Sequence, residues 1–168
     1  TGSQPGTTFG GFASRYNGSE NVRKTPAVDV HANLSVDRYN LIFEWLSVTK
    51  PFRSQDLSFN GIGAKPQAIQ GELGMTFHLF DKPASIGAGY QWTSQALALN
   101  LPLSRVSAVF NLSYWKDTIE SIEYRHDTDY GGMQYANGAN APGLPSNLNT
   151  VGTGKSSDTV IGQIGVFF

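Results

Sequence analysis

Polar and apolar residues alternate strictly between residues 27 and 36. Val28, Val30, Ala32, Leu34 and Val36 fall on one side, and Asp29, His31, Asn33 and Ser35 on the other. A period of two sends successive side chains to opposite faces of a strand, whereas a helix would scatter the same polar groups around its circumference. The period returns along the chain. Residues 67–80 set Ile69, Gly71, Leu73, Met75 and Phe77 against Gln70, Glu72, Gly74, Thr76 and His78. Residues 85–95 oppose Ile86, Ala88, Tyr90 and Trp92 to Gly87, Gly89, Gln91 and Thr93, and residues 106–114 oppose Val106, Ala108, Phe110 and Leu112 to Ser107 and Asn111. Residues 41–49 and 118–129 follow the same rule with more mixing, and residues 8–16 follow it least clearly. The last strand, residues 158–168, carries Val160, Gly162, Ile164, Val166 and Phe168 on one side.

Eight strands are thus predicted, and the segments between them differ in length. Residues 37–40, 81–84 and 115–117 are tight links, residues 17–25, 50–65 and 130–157 are long connections, and residues 97–105, with a proline, are intermediate. Residues 1–6 read as a polar tail, and residues 7–168 as one domain, which suits the chain length of 168. One-sided apolar strands have two homes. In a soluble sandwich a second sheet covers them; in an outer-membrane barrel they meet lipid while the alternate residues face the lumen. The second home also gives a use to a chain that stops on two phenylalanines. The expected fold is an all-β, antiparallel, up-and-down transmembrane β-barrel of about eight strands. Short turns at one end and long loops at the other would put both termini in the periplasm.

Composition narrows the alternatives. Charged residues are only 15%, glycines number 19, and the apolar runs are a few residues long, far short of the roughly 20 that a spanning helix needs. No basic n-region, apolar h-region and cleavage site open the chain, so Thr1 is expected to begin a mature or trimmed polypeptide. A net charge of −1 without a basic cluster speaks against a nucleic-acid surface. The absence of cysteine fits an envelope protein. Aromatic residues suggest two girdles: Tyr39, Phe43, Phe77, Tyr114, Trp115 and Phe168 toward the short turns, and Tyr16, Trp92 and Tyr130 toward the long loops.

The faces opposite the apolar ones bring Arg15, Asp29, His31, Glu44, Glu72, His78, Glu123, Arg125 and Asp127 into the lumen, five carboxylates against two arginines. These groups could form a salt-bridged core that plugs a narrow barrel, or line a wet path favouring cationic or metal-chelate solutes. His31 and His78 match no compact ligand motif, so no metal or other cofactor is expected. His126 and Asp127 are adjacent, point to opposite faces and cannot form a dyad, so no enzyme is expected.

The runs SQALALNL at 94–101, WKDTIES at 115–121, EYRHD at 123–127 and GKSSD at 154–158, with the terminal strand, resemble the C-terminal portion of the LbtU-type siderophore porin family of Gram-negative bacteria, over about residues 26–168. The terminal strand, with Val160, Ile164, Val166 and Phe168, is similar to the signature read by the barrel-insertion machinery. The resemblance implies an outer-membrane porin linked to uptake of ferric siderophore or other small solutes. Family members are longer, so this chain would be the C-terminal part and could supply only some staves of a wider barrel. The alternative is a non-conducting barrel that serves as a membrane anchor or surface-interaction protein. No catalytic residue is carried over.

Overall fold

The computed structural model describes residues 25–54, 57–137 and 150–167. The weakest expected strand, residues 8–16 with Arg15, lies outside them, as does Phe168. The alternating segments form long strands: β1 (Ala27–Val36), β2 (Tyr39–Val48), β5 (Gln67–Leu79), β6 (Lys82–Ser94), β7 (Ser104–Leu112), β8 (Thr118–Thr128) and β11 (Ser156–Val166). They build one antiparallel seven-stranded sheet in the order β1-β2-β5-β6-β7-β8-β11, each strand beside its predecessor in that series. The expected strand positions hold to within three residues at each end.

The connections alternate as their lengths imply. At one end, two residues join β1 to β2 and two join β5 to β6; in the latter, Phe80 and Asp81 have φ of 51° and 57°. Positive φ at both central positions is the turn twist that suits a two-residue hairpin. At the other end the long connections form structure of their own. Between β2 and β5 lie β3 (Ser58–Phe59) and β4 (Ile62–Gly63); between β8 and β11 lie β9 (Tyr135–Asn137) and β10 (Thr150–Val151). These pair as a second, four-stranded sheet in the order β10-β9-β3-β4. Asn60 and Gly61, at φ of 50° and 81°, turn β3 into β4, and a Cβ on Gly61 would meet Tyr135 Oη at 2.9 Å.

The apolar core of the described residues sits in this cap, not in the large sheet. Leu57, Phe59, Ala64, Leu97, Ala98, Tyr130 and Ala136 are buried together, with Leu97 on a one-turn 3-10 helix (Leu97–Leu99) between β6 and β7. Tyr130 is 1% exposed. Its hydroxyl accepts a hydrogen bond from the Ala96 N–H at 3.0 Å and shares one with Thr93 Oγ1 at 2.7 Å, while Phe59 stands edge-on to its ring. Tyr130 is therefore a keystone of the cap and not a girdle residue. Phe43 also departs from expectation: it pairs with Ala32 and Gly71, toward the cap and away from the short turns.

Replacing Tyr130 by phenylalanine leaves the buried Ala96 N–H and Thr93 hydroxyl without that partner, at an expected cost of about 1–3 kcal/mol. Amide exchange should show it: Ala96 and the cap amides lose protection, while amides at the centre of the β5–β6 pair keep theirs.

Candidate functional site

Register turns the alternation of single strands into two complete faces. On one face Leu34, Leu41, Leu73, Ala88, Ala108, Tyr124 and Val160 make a row across all seven strands, and Val36, Tyr39, Met75, Ile86, Phe110, Ile122 and Gly162 make the next. Rows through Phe43 and Tyr90, Trp45 and Trp92, and Phe77 and Ile164 extend the band; the last also carries Glu120, whose carboxylate is held by the Thr118 hydroxyl and the Tyr114 N–H. Among the described residues nothing covers it: Leu73 is 55% exposed, Val160 67% and Ile164 66%. Val160, Ile164 and Val166, the expected signature positions, all stand on this face.

The opposite face carries the charge. One row reads His31, Glu44, Gln70, Gln91, Arg105, Asp127 and Ser157, polar at every strand. The next holds Asn33, Ile42, Glu72, Gly89, Ser107, Arg125 and Thr159. The sheet curls around this side, since one cleft of about 380 Å³ is walled by residues from β2 through β8. Ile42, Val109 and Ile161 interrupt the polar surface.

Two ion pairs organise it. Arg105 faces Asp127 across β7 and β8 and forks onto it, Nε to Oδ1 at 2.6 Å and Nη2 to Oδ2 at 2.7 Å. Arg125 forks onto Glu123 on its own strand, at 2.6 and 2.9 Å. Two parallel N–H···O bonds fix both distance and plane, which a single lysine contact would not. Gln70 Nε2 donates to Glu72 Oε1 at 3.2 Å. Lower on the same face Ser121 donates to Asn111, which donates to Ser85.

Of the nine residues expected inside, Glu72, Glu123 and Arg125 line one cavity of about 180 Å³ with Gln70, Gln91, Arg105 and Ser107, and Asp127 is joined to it through Arg105. Asp29 and His31 lie apart on β1, with Glu44 opposite His31. His78 stands eight residues along β5 from Gln70, which is level with His31, so about 26 Å of strand separates the two histidines. Arg15 is outside the described residues. Arg105 is the residue sequence reasoning missed. Residues 97–105 read as a turn, yet continuing the alternation of Asn111, Val109 and Ser107 backward reaches Arg105 on the charged side.

A second cluster was hidden on the apolar side. His126 does not meet Asp127, as alternation requires; it faces Asp158 across the β8–β11 pair, with His126 Nδ1 donating to Asp158 Oδ1 at 2.8 Å. Tyr124 Oη donates to the same oxygen at 2.6 Å. The sequence held the parity of His126 but not its cross-strand partner.

Behind the cavity, Asp129 ties β8 to the cap. Its carboxylate accepts bonds from the Thr153 N–H at 2.8 Å and Thr153 Oγ1 at 2.6 Å, and from the Tyr130 N–H at 2.7 Å. Burial pushes its pKa up, but these three donors prevail and hold it below the usual carboxylate value. The Tyr130 phenol is pushed up by burial, against its bonds to Thr93 and Ala96.

No protein-family model matches the chain, and no solved structure matches it significantly. It is similar to UPF0422 proteins. Over its whole length it is 68% identical to one from Legionella pneumophila strain Paris and 66% identical to one from strain Lens; over 86% of its length it is 37% identical to one from Coxiella burnetii strain RSA 493. The chain spans about a third of these curated relatives, 32% of the Legionella proteins and 30% of the Coxiella one. Their names state no activity.

Two outcomes are expected. A double-mutant cycle on Arg105→Ala and Asp127→Ala should return a coupling of about 1–2 kcal/mol in chemical denaturation, since each fork holds the other in place; additivity would exclude the pair as an organising contact. The lowered Asp129 carboxyl adds stability that is complete above the unfolded-state carboxyl pKa and is lost as pH falls through the lower folded value. Limited proteolysis of the cap should therefore accelerate in that acid window, and Asp129→Asn should remove that step.

Proposed function

We propose that this chain is a wall segment of an outer-membrane β-barrel in a Gram-negative bacterium, lipid on its apolar face and a solute path on its charged face. The observation that carries the reading is the uncovered apolar face of a seven-stranded antiparallel sheet whose other face is hydrogen-bonded and polar. Large soluble sheets cover such a surface; a bilayer covers it for a barrel. Strands of nine to thirteen residues match the nine to eleven that cross about 30 Å of hydrocarbon at a tilt. Five largely apolar rows about 6.7 Å apart span about 27 Å of strand, or about 20 Å at a tilt of about 40°, and with the width of their side chains approach the band of about 25 Å that such barrels present to lipid.

Among the described residues β1 and β11 each pair on one side only. A membrane does not tolerate free strand edges, so on this reading further staves complete the wall, as a protein of the relatives' length, of which this chain spans about a third, could supply. The relatives come from Gram-negative organisms, which supports the location. The resemblance of residues 26–168 to LbtU-type siderophore porins makes ferric siderophore or another small solute the cargo, and the lipids of the outer membrane with its barrel-insertion machinery the partners. The two forked ion pairs favour a second reading, in which the polar side chains close the lumen and the barrel serves as an anchor.

Leu73→Arg places a cation in the middle of the apolar band. It should cost about 2–4 kcal/mol of folded barrel in lipid, read as loss of the heat-resistant, fast-migrating form of the full-length protein in detergent gels. Ser107→Arg, on the charged face, should retain that form. Equal tolerance of both, or a full-length protein monomeric in detergent-free buffer, would remove the membrane reading. Steady current steps from the full-length protein in planar bilayers would separate the conducting path from the anchor.

A further inference from the structure

Glycine replaces side chains along one cleft of the charged face. Gly74, Gly87 and Gly89 sit on adjoining strands β5 and β6 and floor the cleft of about 380 Å³. Inward positions of a plugged barrel are filled by side chains, but here the backbone itself is the floor. Gly89 also sets the posture of Glu72, its direct partner across the strands. A Cβ on Gly89 would come within 3.3 Å of Glu72 Cγ and 2.9 Å of Ser107 Oγ, so the bare backbone lets the Glu72 stem lie across it.

The charges around Glu72 do not cancel it. Arg105 and Arg125 each commit Nε and Nη2 to a carboxylate of their own, Asp127 and Glu123. Glu72 receives only the neutral Gln70 amide. We propose that Glu72, above the glycine floor and beside Gln91 and Ser107, is the solute-binding station of the lumen and takes an ammonium group. The inference rests on the transport reading and adds the place and chemistry of recognition. An ammonium brings donors alone, matching a carboxylate oxygen, an amide oxygen and a hydroxyl. The two guanidiniums line the same small cavity, but each is neutralised in its fork, so the uncancelled charge there is that of Glu72.

The full-length protein in planar bilayers tests this with 1,4-diaminobutane as the probe. Wild-type channels should be blocked by the diamine in a concentration-dependent manner, and Glu72→Gln should weaken the block about tenfold or more while channels still open, as expected for loss of a charge-assisted hydrogen bond. Gly74→Phe, whose Cβ meets nothing closer than 3.9 Å and so is accommodated, should fill the cleft and reduce unit conductance. Gly71→Phe is the control. It lies on the apolar face with open space around its Cβ and should leave conductance and block unchanged. Channels that form normally but are equally sensitive to the diamine with and without Glu72 overturn the station alone. A correctly inserted protein that never conducts overturns the station and the transport reading together.

Discussion

Backbone pairing of the large sheet is the constraint to which everything else answers. Seven strands pair in an unbroken antiparallel series, the five inner ones on both sides, and this fixes where every side chain can point. Once β5 and β6 pair over thirteen residues from Gln67↔Ser94 to Leu79↔Lys82, a slip of one residue on either strand would put Glu72 among leucines and Leu73 among arginines. The two faces are so unlike that register is specified by the cost of such a mismatch, without a buried core between layers. An ordinary sheet is held in register by the core it helps to bury. Here the sheet is held by opposite demands on its two sides, and the packed apolar cluster forms elsewhere, beneath β3, β9 and the 3-10 turn.

That displacement of the core explains the division of labour in the chain. The long connections all emerge at one end of the sheet, so they can meet, and they fold around Leu57, Phe59 and Tyr130. The short end has only tight turns and nothing to bury. Tyr130 couples the two parts because its hydroxyl reaches Thr93 at the end of β6 while its ring packs on Phe59 of the cap. Asp129, one residue before it, grips Thr153 as the chain heads into β11. The cap is thereby anchored to the strands that carry Arg105 and Asp127.

The alternation of the long strands was legible because a period of two needs no partner to be read, and the lengths of the connections revealed which end was which. Val28 to Val36 and Ile69 to Phe77 were placed on the right faces from residue type alone, as were Glu123, Arg125 and Asp127. What failed to show depended on contacts distant in sequence. β9 and β10 are too short to display a period, and β9 meets β3 across more than seventy residues of chain. One missed element did leave a local trace: Asn60-Gly61 between Phe59 and Ile62 is the dipeptide that favours a two-residue hairpin. Arg105 was hidden by Pro102 and by the glycine-poor turn before it, which blurred the start of β7. The His126 pairing with Asp158 could not be found until the register of β8 and β11 was known.

The Tyr124, His126 and Asp158 cluster bears on how the wall is covered. It lies on the apolar face, yet its three polar groups satisfy one another through a single carboxylate oxygen, with Tyr124 reaching from the all-apolar row toward the cap. If lipid covers this face as proposed, uncompensated charge there would be expensive, and the cost falls toward the interface. The cluster sits level with Tyr90 and one row below Trp92, where aromatic rings mark the rim of the band. A carboxylate held by two donors at that height completes the apolar band without breaching it. Asp158 on the apolar face and Asp127 on the charged face are each held by donors from the neighbouring strand, whereas Glu72 has only the Gln70 amide beside it.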